Sequence, residues 1–97
     1  MSQTTVSRTV VLSNRAGLHL RAAMLIAKTV RQFAAQVSIV KSHQRVEATD
    51  MLQIISLGAE CGAELGIEAT GQDADQVIEA LGRLFSDNFG EDQEPGN

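Results

Sequence analysis

At 97 residues the chain has room for one hydrophobic core and not for two. Hydrophobic residues make up 43% of it, Trp and Tyr are absent and the net charge is −4, a composition that suits a soluble globular domain built from aliphatic side chains and three Phe. No apolar run approaches a membrane span, the first thirty residues lack a signal-peptide core, and the single cysteine, Cys61, excludes an internal disulfide, so a cytoplasmic protein is expected.

Residues 4–12 alternate, with Val6, Val10 and Leu12 on one face, and predict a strand. Ser13-Asn14-Arg15-Ala16-Gly17 is turn chemistry. From Leu20 to about Phe33 the period changes to that of a helix, with Ala22, Ile26, Val30 and Phe33 on one side. A second stripe of that helix carries Leu20, Met24, Lys28 and Arg31, apolar in the middle and basic at the rim, as a docking surface would be. Residues 36–41, with Val37 and Ile39 on one face, and residues 44–47 predict a hairpin whose tip is Ser42-His43. His43 is assigned no chemistry there.

Asp50 then predicts the N-cap of a short helix, with Gln53 in the capping-box relation, and Gly58 predicts its left-handed end. Residues 64–71 alternate again with Leu65, Ile67 and Ala69 inward. Asp73 is expected to cap a last helix whose buried stripe is Val77, Leu81, Leu84 and Phe85. The domain is expected to span residues 1–88. Residues 89–97, polar and acidic with Pro95 and Gly96, predict a flexible tail.

The order is therefore β-α-β-β-α-β-α. A helical crossover joins strands running the same way, and a hairpin joins antiparallel neighbours. If each crossover skips one slot, the result is an α+β open-faced sandwich. Its four-stranded antiparallel sheet has the order 1-4-2-3, with three helices on one face and solvent on the other.

The charge is unevenly distributed along the chain. Seven of the eight basic residues precede Glu47, all twelve acidic ones begin there, and Arg83 is the only base beyond it. A basic face near the first helix would steer an acidic or phosphorylated partner. Nucleic acid is the poorer explanation, since the pI is near 5 and no aromatic stacking set accompanies the bases. No metal-ligand cluster, nucleotide loop or hydrolytic triad is present, so neither a metal nor a cofactor nor stand-alone catalysis is expected.

The chemistry concentrates in Gly17-Leu18-His19-Leu20-Arg21, where a loop becomes a helix. A helix N-terminus presents N–H groups without acceptors and partial positive charge, and so binds phosphate. Gly17 permits close approach of the backbone, and the guanidinium of Arg21 offers a bidentate fork. An imidazole at that place is a candidate to carry a phosphoryl group. The phosphate-binding backbone is expected at Gly17, Leu20 and Arg21.

With these residues, with Ile55-Ser56-Leu57-Gly58-Ala59 before Gly62-Ala63-Glu64, and with Ala69-Thr70-Gly71, the chain from about Val6 to Phe85 closely resembles the HPr phosphocarriers of the phosphoenolpyruvate-dependent phosphotransferase system. The ending Leu84-Phe85-Ser86-Asp87-Asn88-Phe89 is similar to the nitrogen-related branch. The resemblance implies that His19 accepts a phosphoryl group on Nδ1 from phosphorylated enzyme I and passes it to an enzyme IIA-type acceptor, with Arg21 contacting the phosphate. It implies a monomeric carrier of the kind that serves sugar transport, with no nucleic acid bound and no insertion into a membrane. Leu20, Met24, Lys28, Arg31, Met51, Leu52 and Ile55 match the partner-binding patch. A regulatory module of the same fold, docking on a kinase, transcription factor or metabolic enzyme, is the alternative.

Two positions depart from the family pattern. Ala22 stands where the family has proline, which removes rigidity beside the site but keeps a strong helix former. Asp50 stands at the position of a serine that a kinase modifies in many bacterial relatives. It is either a helix cap alone or a fixed charge that imitates the modified serine.

Overall fold

A computed structural model describes residues 5–91. Four strands, β1 (Thr5–Val11), β2 (Gln36–Lys41), β3 (Gln44–Glu47) and β4 (Glu64–Thr70), form an antiparallel sheet of order β1-β4-β2-β3. Three helices, α1 (Leu20–Val30), α2 (Met51–Ser56) and α3 (Ala74–Ser86), cover one face of it. This is the open-faced sandwich that the element order predicts. Thr4, at the start of the first predicted strand, lies outside the described residues.

The register explains which side chains face the helices. Val10 pairs with Leu65 across β1 and β4, and Ile39 pairs with Ile67 across β2 and β4. Because successive strand residues point to opposite faces, these pairs stack with Val37 and Ala69 on one side only. They meet Ala22, Ala23, Ile26 and Val30 of α1, Ile54 of α2, and Val77, Leu81 and Phe85 of α3 in one buried cluster. At roughly 1.5–3 kcal/mol for each large aliphatic side chain fully buried, this cluster is the main favourable term of the fold.

The ends of the elements differ from expectation in three places. Helix α1 stops at Val30, because the N–H groups of Gln32 and Phe33 turn to the carbonyls of Thr29 and Val30 in tighter bonds. Asp73 stands at the N-cap of α3 but makes no side-chain cap there. Its carboxylate accepts the Ala34 N–H at 2.7 Å, and its own N–H donates to the Ala34 carbonyl at 3.0 Å. The cause lies two residues earlier: Gly71, at φ 134°, approaches so near that a Cβ would stand 2.9 Å from that same carbonyl.

The third difference concerns the boundary expected at residue 88. A short 3₁₀ turn (Asn88–Gly90) follows α3, and the Phe89 ring is buried in the core against Phe85, edge-on at 5.0 Å between centroids. The packed domain therefore reaches Glu91. The remainder of the predicted tail, residues 92–97, lies outside the described residues.

Folding also interleaves the two charge halves. Arg45 of β3 pairs with Glu68 of β4 on the open face of the sheet, and Arg21 lies 3.7 Å from Glu91. The basic side chains of Lys28 and Arg31 stay exposed on α1.

Candidate functional site

The loop entering α1 is held from three sides. Asn14 is buried and its Nδ2 donates to the Gly17 carbonyl at 2.8 Å, while the Gly17 N–H donates back to the Asn14 carbonyl. The Leu18 N–H reaches the Ala59 carbonyl at 3.1 Å, tying this loop to the one before β4. Gly17 adopts φ 72°, and a Cβ there would stand 2.6 Å from the Ala59 oxygen. Only glycine meets both demands.

That arrangement corrects one expectation. The N–H of Gly17 is spent on Asn14 inside a buried turn, so Gly17 shapes the loop and does not present a donor for phosphate. The first-turn N–H groups of α1, from Leu20 onward, are the ones without intrahelical acceptors.

His19 is the N-cap residue of α1, and both of its ring nitrogens have partners. Nδ1 accepts the N–H of Arg21 at 3.2 Å, and Nε2 lies 2.7 Å from a carboxylate oxygen of Glu91. A backbone N–H can only donate and an ionised carboxylate can only accept. The proton therefore sits on Nε2, and Nδ1 keeps its lone pair toward the helix opening. The imidazole is half-buried, open enough for a partner to reach it.

Arg21 is largely exposed, and its Nη1 donates to the Phe89 carbonyl at 2.9 Å. Glu91 closes the cluster, with Asn14 Nδ2 at 3.3 and 3.4 Å from its two oxygens. Burial pushes the Glu91 carboxyl up, but hydrogen bonds from His19 and Asn14 and the electrostatic attraction of the imidazole and of the Arg21 guanidinium outweigh this and hold it below its usual value. The site thus unites His19 and Arg21, expected from sequence, with Asn14, Phe89 and Glu91, which sequence reasoning assigned to a turn and a tail. The four-residue spacing of Phe85 and Phe89, continuing the buried stripe of α3, is the signal that points to this closure.

The residues of the predicted docking patch lie on α1, at its C-cap and on α2. Leu20, Met24 and Leu52 are 56%, 50% and 78% exposed, unusual for large apolar side chains, and Lys28 and Arg31 are exposed along α1. Arg31 Nη2 donates to the Thr49 carbonyl at 2.9 Å, joining the end of α1 to the start of α2. Met51 and Ile55 are half-buried and lean on the core, so they support the patch more than they present it. Asp50 caps α2 directly: its Oδ1 accepts the Gln53 N–H at 3.1 Å. Ala22 is buried inside α1, which continues without the family's proline.

Among the described residues no group of three or more His, Cys, Asp or Glu side chains is placed to hold a metal ion, and no helix is long and apolar enough to cross a membrane.

Comparison with known proteins agrees with this fold. A family model described as "PTS HPr component phosphorylation site" matches residues 6–87. The phosphocarrier protein HPr of Treponema pallidum is 34% identical over 87 residues, covering 90% of this chain and 99% of that one. The phosphocarrier protein NPr of Proteus mirabilis is 36% identical over 87 residues, covering 88% of this chain and 96% of that one. Among solved structures, an HPr from Thermoanaerobacter tengcongensis superimposes with a TM-score of 0.86 at 33% identity, covering 90% of this chain and 98% of that one.

Proposed function

The chain belongs to the HPr family of phosphocarriers of the phosphotransferase system, and from that premise we propose that His19 takes a phosphoryl group on Nδ1 from phosphorylated enzyme I and yields it to an enzyme IIA-type acceptor. The observation that carries this reading is the tautomer: Nε2 faces Glu91, while the Nδ1 lone pair faces the opening of α1. A phosphoryl group bonded to Nδ1 displaces the weak 3.2 Å contact with the Arg21 N–H, and its oxygens then meet the N–H groups of Leu20 and Arg21. The Arg21 guanidinium, leaving the Phe89 carbonyl, adds a charged fork.

Such a grip has to be moderate, because the group must leave as readily as it arrives. The chain supplies a positioned nucleophile, and the partners supply the remaining catalytic groups. Leu20, Met24 and Leu52, with Lys28 and Arg31 at the rim, form the surface on which each partner docks in turn. Met24 suits that reuse, since its flexible thioether repacks against different faces. On this reading the protein is a carrier and does not turn over alone.

Incubation with phosphoenolpyruvate and the cognate enzyme I tests the proposal. Acid-labile, base-stable label is expected on the native chain and absent from His19→Ala. Label that persists in that variant overturns it. A second reading, a carrier of the nitrogen-related branch, is favoured by the 36% identity to an NPr, against 34% to an HPr. It differs in the acceptor and not in the chemistry at His19, so transfer to acceptor domains of sugar and nitrogen-related branches separates the two.

A further inference from the structure

We infer that Glu91 is a positioning residue for phosphoryl transfer, fixing the proton on Nε2 of His19 so that Nδ1 alone attacks and the ring later departs as neutral imidazole. The inference rests on the proposed role of His19 and extends it to a residue outside the motif.

Three features build Glu91 into this place. Phe89, two residues earlier, buries its ring against Phe85 and so anchors the segment to the core. Asn14, buried beneath the site, reaches both carboxylate oxygens, at 3.3 and 3.4 Å. Arg21 lies 3.7 Å away on the other side and keeps the carboxylate charge compensated. An oxygen of Glu91 then meets Nε2 at 2.7 Å, a short, charge-assisted contact. Asn14 thus links the two halves of the site. It shapes the loop below His19 through the Gly17 carbonyl and orients the carboxylate that holds the imidazole.

The consequence follows from electron counting. In the forward step the Nδ1 lone pair forms the N–P bond, and the bond from phosphorus to the donor breaks, its electron pair leaving with the donor. Nε2 keeps its proton throughout, so the ring becomes positively charged, and the carboxylate offsets that charge. In the return step an acceptor nucleophile bonds to phosphorus, the N–P pair returns to Nδ1, and a neutral imidazole leaves. Were the Nε2 proton lost, the leaving group would be an imidazolate, a far poorer one. With the proton on Nδ1 instead, the lone pair would point at Glu91, and the wrong nitrogen would be the nucleophile.

The test uses the full chain and its Glu91→Ala and Glu91→Gln variants. Long-range ¹H–¹⁵N correlation at alkaline pH reads the tautomer of each imidazole, and His43, exposed at the hairpin tip, serves as the internal reference for a free ring. Native His19 is expected to show one tautomer with the proton on Nε2, whereas His43 averages. Glu91→Ala is expected to bring His19 to the averaged pattern of His43, and Glu91→Gln, whose amide oxygen still accepts, to restore part of the native one. In transfer to an acceptor, Glu91→Ala is expected to lose about tenfold in kcat with KM unchanged. A native tautomer retained in Glu91→Ala, or equal kcat in a folded variant, overturns the inference. Because the tautomer is read without any donor, this failure is distinct from finding no label on His19, which would sink the carrier role itself.

Discussion

The carbonyl of Phe89 accepts a hydrogen bond from Arg21 Nη1 at 2.9 Å, so the guanidinium beside His19 is moored to the C-terminal turn. That turn is not relaxed. Phe89 and its neighbour Asn88 adopt φ 57° and 52°, values that an L-residue with a bulky side chain rarely takes. Holding a side chain there costs about 1–3 kcal/mol, and burial of the Phe89 ring offsets it by a similar amount. The contact with Phe85 adds roughly 0.5–1.5 kcal/mol.

Phe89→Ala removes the anchor and leaves a cavity under the turn. A loss of about 3 kcal/mol is expected, near the lower bound for truncating a buried Phe because the ring sits at the edge of the core. Urea unfolding should show a lower midpoint with an unchanged slope. A loss below about 1 kcal/mol would mean that the ring does not secure the turn.

How far the sequence announces this site depends on what each residue type signals. The entry to α1 is readable because glycine, histidine and arginine interrupt one periodicity and begin another. The sheet order follows from crossover rules, and the outward stripe of Leu20 and Met24 from helical spacing. The closure by Asn88–Glu91 is not announced in that way. Asn88 suits a left-handed helix end, but a left-handed Phe89 carries no turn signature, and a glutamate in a polar, acidic stretch looks solvated. Asp73 illustrates the same limit, since a cap position in sequence says nothing of a backbone N–H brought near from residue 34.

Gly17 and Gly58 separate two costs that are usually confounded. Both have positive φ, 72° and 61°, but a Cβ at Gly17 would strike the Ala59 oxygen, whereas Gly58 has open space around it. Gly58→Ala should cost about 1 kcal/mol, the conformational term alone. Gly17→Ala should cost at least about 2 kcal/mol more, with loss of phosphorylation, since the loop below His19 must shift. Equal costs in thermal unfolding would refute the close-approach account.

Leu52, the most exposed large apolar residue of the described chain, contributes little to the fold and is part of the docking surface proposed above. Leu52→Asp should stay within about 0.5 kcal/mol of native stability. In phosphorylation by enzyme I it should raise KM about tenfold, a loss of about 1.4 kcal/mol, in the range of a moderately important interface residue. An unchanged KM would place the partner elsewhere on the molecule.

Asp50 poses a question of charge against capping, which one substitution resolves. Its carboxylate accepts both the backbone N–H and the side-chain amide of Gln53, each at 3.1 Å. Asparagine caps a helix about as well as aspartate and carries no charge. If the charge weakens docking of an enzyme I surface, Asp50→Asn should raise the phosphorylation rate a few-fold, roughly the 1 kcal/mol of a rim electrostatic contact. The same rate in both proteins, at equal stability, would leave Asp50 as a cap only.

Glu91 gives the site a pH dependence whose sign is set by the direction of its shift. Its carboxyl titrates below the reference value of 4.5, so in acid the unfolded chain takes up the proton before the folded one. Above that reference value both states are ionised, and the full stabilisation by His19, Asn14 and Arg21 is present. As pH falls from there through the folded value, the stabilisation is progressively lost. Glu91→Gln, neutral at every pH, removes this dependence together with the stabilisation of the charge. Native protein and variant should therefore differ in stability by a constant amount just above pH 5 and converge in stronger acid, as read from urea unfolding at each pH. A difference that grows on acidification would mean that the carboxylate is unfavourably buried, and the hydrogen bonds to it would then be too weak to hold the Nε2 proton in place.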